Sequence, residues 1–258
     1  MSFYKKIILL TLSLGCFLLA CKKEIALTAQ RFGKINFGNQ TLVNPLIIDY
    51  NGTTISVGLD LTKNIKVPIG KGKLSFKDDK GKVLTDTIIT VEENGIKNLV
   101  LFQPSSEAKP ALVENTQENE PKPEEGFMKI KIANLAQKCL PKNVDIIIKM
   151  FDNNLGDFAD LDTIENVSSN FGGYTNYKTF TPVTGDGYLI FYIIDSTTKQ
   201  PLHEGFAGVV DINDYNNGIF YNIITLYINE QTVEASGANM VGTDGKPYQV
   251  QVNALFMN

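Results

Sequence analysis

Apolar and polar residues alternate with a period of two along much of this chain. The pattern is clear in Lys73-Leu74-Ser75-Phe76-Lys77 and in Met128-Lys129-Ile130-Lys131-Ile132, and cleanest in Tyr248-Gln249-Val250-Gln251-Val252-Asn253-Ala254. Such alternation puts one face of a strand on a core and the other in water. Turn signals separate the runs. Asn51-Gly52 falls between Leu46–Tyr50 and Thr53–Val57, a strong hairpin signal because both residue types accept positive φ. Asp79-Lys80-Gly81, Asn94-Gly95, Asn217-Gly218 and Thr243-Asp244-Gly245-Lys246 repeat the theme. No amphipathic helix of useful length follows the N-terminal segment, so the chain is expected to be all-β.

The strand pattern occurs twice. Asn64–Phe76 has a counterpart in Thr181–Phe191, where a Pro again precedes a Gly-x-Gly turn that launches an apolar strand. Asn94–Phe102 matches Asn217–Tyr227, and Lys34–Asn39 matches Lys129–Asn134. Three blocks in the same order predict a duplicated antiparallel sandwich. Between the copies, residues 104–126 are rich in Pro and Glu and poor in aromatics. Such a stretch buries too little surface to offset the entropy of ordering. It is expected to be a flexible, acidic linker, reaching about 70 Å at roughly 3.3 Å per residue. The expected organisation is a signal segment at 1–20, a tether at 21–30, a first sandwich at 31–103, the linker at 104–126 and a longer second sandwich at 127–258.

The first residues are of another kind. Lys5 and Lys6 precede an apolar run from Ile7 to Leu19, and Ala20 precedes Cys21. A short positive region, an apolar run and a small residue before the cut define a secretory signal. The run is shorter than the about 20 residues that a spanning helix needs. Cleavage at Cys16 would leave Phe17-Leu18-Leu19 at the new terminus, whereas Cys21 is followed at once by Lys22-Lys23-Glu24. The stretch resembles the lipobox of bacterial lipoproteins, which implies cleavage before Cys21, a diacylglyceryl thioether on its sulfur and an acylated amine. Each buried methylene of such an anchor contributes about 0.8 kcal/mol, and one fourteen-carbon chain already binds marginally. Two or three chains make the attachment permanent. The order of blocks resembles the immunoglobulin-like domains found, often in tandem, in lipoproteins of the Bacteroidota. That resemblance implies two immunoglobulin-like sandwiches and an envelope location, and it carries no catalytic residues. Lys22 rather than Asp after the lipid site implies the outer membrane, facing either the periplasm or the outside.

Composition narrows the chemistry. The chain has 24 Lys+Arg and 28 Asp+Glu, a net charge of −4. Losing residues 1–20 removes two lysines and no acid, which takes the charge to −6. A mildly acidic chain lacks the basic patch a nucleic-acid partner requires. Of three cysteines, one lies in the signal and one is the lipid site. Cys139 is left without a partner for an intrachain disulfide, and it reads as a small buried hydrophobe. His203 is the single histidine, so no zinc cluster is written in the chain and no cofactor is expected. No Gly-x-Ser-x-Gly and no phosphate-binding glycine loop accompanies it.

Two features of the longer second copy are candidate sites, because insertions on a sandwich are loops and loops carry function. Asp152–Asp162 supplies Asp157, Asp160 and Asp162 as calcium candidates, although its glycine and its twelfth residue do not fit an EF-hand. Phe171–Phe180 supplies Tyr174, Asn176 and Tyr177, the chemistry of an adaptable contact loop, with core packing of Tyr177 and Phe180 as the alternative. The expected role is non-catalytic: a lipid-anchored envelope protein presenting sandwiches for binding or adhesion. A glycan- or ligand-binding accessory of an outer-membrane uptake complex is the alternative, and a hydrolase is the reading with least support. Partners are the membrane, through Cys21, and an envelope protein or glycan. Cys21→Ala is expected to abolish incorporation of a labelled fatty acid during growth; continued labelling would place the lipid elsewhere.

Overall fold

Strand pairing follows the alternation. The computed structural model describes residues 30–58, 62–105, 107–169, 175–181, 187–215 and 218–257. Cys21 lies outside them. In the first half, the strands are β1 (Phe32–Gln40), β2 (Leu46–Tyr50), β3 (Thr53–Val57), β4 (Thr62–Pro68), β5 (Gly70–Lys77), β6 (Val83–Val91), β7 (Ile96–Phe102) and β8 (Ala111–Glu114). They form two sheets, ordered β4-β1-β7-β8 and β3-β2-β5-β6. Every second residue of β1 and β2 faces inward, and Phe37 of one sheet stacks on Phe76 of the other at 5.3 Å between ring centres. The predicted Asn51-Gly52 turn joins β2 to β3, with φ of 47° and 86°. Positive φ at both central residues is what the two-residue turn demands.

The second half repeats the plan. Its strands are β9 (Met128–Asn134), β10 (Asn143–Asp152), β11 (Asp157–Ser168), β12 (Lys178–Phe180), β13 (Tyr188–Asp195), β14 (Val209–Asp211), β15 (Asn213–Asp214), β16 (Ile219–Phe220), β17 (Ile223–Thr232), β18 (Met240–Val241) and β19 (Pro247–Met257). The two large sheets are β12-β9-β17-β19-β18 and β11-β10-β13-β14, and β15-β16 is a small added ribbon. The matches run deeper than strand order. β1 pairs parallel with β7, and β9 pairs parallel with β17. Asn39 and Asn134, aligned by the sequence repeat, are both fully buried and end their strands the same way. The Asn39 side-chain oxygen accepts from the Thr41 amide at 3.1 Å, and that of Asn134 from the Ala136 amide at 3.0 Å. Each half encloses its own apolar core. The sandwich class expected from the sequence is therefore present. Its strand order is its own: in a constant-type immunoglobulin domain the first two strands share a sheet, whereas β1 and β2 lie in opposite sheets here.

The segment expected to be a flexible linker is built into the fold. Residues 111–114 are β8, the last strand of the first sandwich, paired antiparallel with β7. It occupies the place that β19 takes in the second sandwich. The first sandwich thus ends at Glu114, not at residue 103. A 3-10 turn, Gln117–Asn119, follows. Gln117 is 1% exposed. Its Nε2 donates to the Ile223 carbonyl at 2.7 Å, and its Oε1 accepts from the Thr225 hydroxyl at 2.8 Å. The amide orientation is set by this pair, since a flipped amide would aim an oxygen at the Ile223 carbonyl. Ordering is offset by these buried bonds and by packing at the junction. Phe102 meets Tyr227 edge-on at 4.6 Å, Asn229 donates to the Pro104 carbonyl at 3.1 Å, and Lys129 pairs with Glu120 at 2.6 Å. Phe32–Asn258 consequently forms one compact unit.

A buried donor or acceptor stripped of its partner costs about 1–3 kcal/mol. Gln117→Leu should lower the urea midpoint by a corresponding amount and speed proteolytic nicking within 104–126. An unchanged midpoint and cleavage pattern would show that the seam is held by other contacts.

Candidate functional site

Tyr177 stands in the wall of a cleft at the seam. The cleft, about 530 Å³, is lined by Thr116, Asn119, Glu120, Lys131, Thr175, Asn176 and Tyr177. The Tyr177 hydroxyl lies 3.1 Å from the Thr225 hydroxyl. Thr225 spends its one proton on Gln117, so Tyr177 is the donor in that pair. Above the ring, the Lys131 ammonium sits 4.5 Å from its centre, a cation–π contact. Burial holds the Tyr177 phenol above its ordinary range and the Lys131 ammonium below its own, with Glu120 partly opposing the latter. Tyr177 is therefore half-buried and serves the junction with one face, while Asn176 stands exposed at the rim. Tyr174 lies outside the described residues.

A second cleft of about 360 Å³ flanks the seam. Its floor is a run of amides: the Asn36 side chain donates to Asn98 at 2.7 Å, and Asn98 donates to Glu118 at 2.6 Å. Leu255, Phe256 and Met257 of β19 form the opposite wall. Register put these groups together. Asn36 and Asn98 are direct partners across the parallel β1–β7 pair, a relation that no local pattern reveals.

The three acidic candidates do not converge. Only residues 153–156 form the turn, and Asp157–Ser168 is strand β11. Asp157 accepts from the neighbouring Phe158 amide at 2.7 Å. Asp160 pairs with Lys149 at 2.9 Å and Asp162 with Lys178 at 2.6 Å. The hydrogen bond from Lys178, then that from the Thr163 amide, lowers the Asp162 pKa. Asp160 and Asp162 are thus each matched to a lysine, one on the neighbouring strand β10 and one on β12 of the other sheet, and the segment is a strand rather than an acidic loop. Among the described residues, no group of three or more His, Cys, Asp or Glu is placed to hold a metal.

Cys139 and His203 occupy structural settings. The Cys139 amide donates to the buried Glu230 carboxylate at 3.0 Å, as does the Lys138 amide. Burial first, and then the hydrogen bond and charge of Glu230, push the Cys139 thiol up to about 12. The thiolate is the nucleophile, so this setting disfavours the reactive form of a half-buried sulfur at neutral pH. His203 Nδ1 lies 3.0 Å from the Glu204 carbonyl.

Sequence reasoning missed an aromatic group at the start of β13. Tyr188 is 36% exposed, Phe220 42% and Tyr215 73%. The Tyr188 and Tyr215 hydroxyls are 3.4 Å apart, and Tyr215 donates to Asp211 at 2.6 Å. The available signal was Asp214-Tyr215-Asn216-Asn217-Gly218, an aromatic inside a turn motif at the end of the longer copy's insertion.

No family of known proteins matches the chain, and no curated protein does. Among solved structures it is similar to a streptococcal virulence factor that binds alpha-glucan, at 12% identity and a TM-score of 0.25 over 76% of this chain and 93% of that one. It is also similar to a candidate adhesin from Bacteroides ovatus, at 9% identity and a TM-score of 0.21 over 88% and 95%. Scores this low carry no argument about ligand or fold, and the tandem-sandwich class rests on the strand registers.

Iodoacetamide at pH 8 should leave Cys139 unmodified in the folded chain and alkylate it fully in denaturant. Rapid labelling of the folded chain would show an accessible, ionised thiol.

Proposed function

We propose that this chain is a lipid-anchored protein of the bacterial envelope, held through Cys21 at the outer membrane, whose sandwiches serve non-catalytic binding or adhesion. The observation that supports the role is the junction centred on Gln117. Two sandwiches joined by a loose tether would reorient independently, since relative domain motion is the default where few contacts cross. Here a buried amide, an edge-on aromatic pair and an ion pair cross it. A chain built this way transmits a load or a bound position from one sandwich to the next. Among the described residues, Lys149 pairs with Asp160, Lys178 with Asp162, and Glu230 accepts from the Lys138 and Cys139 amides.

A ligand-binding accessory role is the second reading, favoured by the two open clefts beside the seam, whose polar walls include Asn36, Asn98, Glu118 and Asn176.

Cells expressing the full chain should attach to plates coated with host or microbial envelope glycans and proteins, and cells expressing Cys21→Ala should lose that attachment while secreting folded protein. Equal attachment by both, or turnover of ester or glycoside substrates by the purified chain, would contradict the role.

A further inference from the structure

The second sandwich carries elements that its core does not need. In the first sandwich β5 reaches β6 through a tight turn at 78–82, and β6 reaches β7 through residues 92–95. The corresponding connections in the second hold residues 196–208 and the ribbon β15-β16. Tyr215 and Phe220 lie exposed on that added ribbon, beside the exposed Tyr188 at the start of β13, and an exposed apolar cluster with a polar rim marks an interaction site.

The cluster is ordered by specific contacts. Tyr188 is the register partner of Asp211 across β13 and β14, so both side chains project from one face of the sheet. Asp211 accepts from the Tyr215 hydroxyl at 2.6 Å, from the Asn213 amide at 3.0 Å and from the Asn213 side chain. Burial opposes ionisation of Asp211, but these bonds outweigh it and keep the carboxyl below its ordinary range. The same contact with Asp211 holds the Tyr215 phenol protonated well above its usual range. Phe220 is placed by Asn213, its partner in the ribbon. Gly187, at φ 78°, makes room: a side chain there would come within 2.9 Å of both the Phe220 ring and the Asn213 oxygen. The result is three exposed rings around a fixed carboxylate and amide.

We propose that Tyr188, Tyr215 and Phe220, with Asp211 and Asn213 between them, form a binding platform for a neutral carbohydrate. The assignment rests on the binding role proposed above and names its ligand class. A pyranose presents an apolar face of C–H groups that lies on an aromatic ring, and a rim of hydroxyls that pairs with carboxylates and amides. Tyrosine suits this use, because it offers rigid amphipathic area with little rotamer entropy to lose. A charge-assisted bond from a sugar hydroxyl to Asp211 is stronger than a neutral one. The partners of Asp211 are uncharged, so its full negative charge faces the ligand and disfavours uronic or sulfated sugars. An open patch of exposed rings admits a chain of sugars in passing rather than enclosing one residue.

Native affinity electrophoresis tests the assignment with the full mature chain. The gels contain soluble starch, xylan, mannan or, as the anionic control, chondroitin sulfate. The wild-type chain should be retarded by at least one neutral polymer and not by chondroitin sulfate. Tyr215→Ala and Asp211→Asn should each weaken that retardation at least ten-fold, and Ile88→Thr, at an exposed position of β6 in the first sandwich, should not. Thermal melting reports whether each variant is folded. Because Tyr215 is exposed, its substitution is expected to leave melting unchanged; Phe220→Ala, which removes another exposed ring, should weaken retardation likewise and serves if Tyr215→Ala does not fold. No retardation by any neutral polymer, retardation by chondroitin sulfate alone, or equal retardation of wild type and folded Tyr215→Ala would overturn the platform. Attachment of cells to protein-coated plates alone, without sugar retardation, would overturn it while leaving the adhesion role standing.

Discussion

Gln117 fastens the exit of the first sandwich to the second. Its amide is sealed from water and satisfied at both ends, by the Ile223 carbonyl and the Thr225 hydroxyl. Both partners belong to β17, the strand that runs parallel to β9 in the second sandwich. The first sandwich therefore reaches the second by way of its own exit segment, immediately after β8. Tyr177 extends the chain of bonds by donating to Thr225, so the loop expected to meet a ligand also fastens the junction. A buried amide is costly if any partner is missing, and that cost favours the register of the exit segment in which Gln117 meets both its partners.

Duplication gave each half the same frame and different uses for it. In both, a parallel pairing of the first strand with a late strand closes one sheet, and a buried asparagine turns the chain out of that first strand. The first copy keeps its connections short. The second copy lengthens them and places Tyr188, Tyr215 and Phe220 at one corner of its sheet. Polar chemistry is divided in the same way. Lysine–carboxylate pairs such as Lys149–Asp160 lie flat on the sheet surface, where exposed pairs contribute little, typically about 0–1 kcal/mol. Asp211 instead gathers neutral donors beside aromatic rings, which leaves it free to meet a further hydroxyl.

Much of the frame was legible in the chain. The alternation in Met128–Ile132 and Tyr248–Ala254 marked strands, Asn51-Gly52 marked its hairpin, and the three repeated blocks marked the duplication, because each signal depends on residues within a few positions of one another. The order of the sheets was not legible in that way, since pairing β1 with β7 joins residues some sixty apart. The acidic residues of 152–162 were visible as a cluster, but the pairing of Asp160 and Asp162 was not, because their lysine partners come from β10 and β12.

Residues 104–126 draw the line between the two kinds of information. Their composition describes a segment that cannot order itself by local signals: Ala111–Glu114 is too short to show a period and sits among prolines and glutamates. Local patterning sets which stretches can form strands and where turns fall, because φ preferences and the two-residue period are properties of neighbours. Whether a weak stretch is ordered depends on the partner that satisfies its backbone and buried side chains. For β8 that partner is β7, and for Gln117 it is β17. Each is brought close only when the sandwiches have closed.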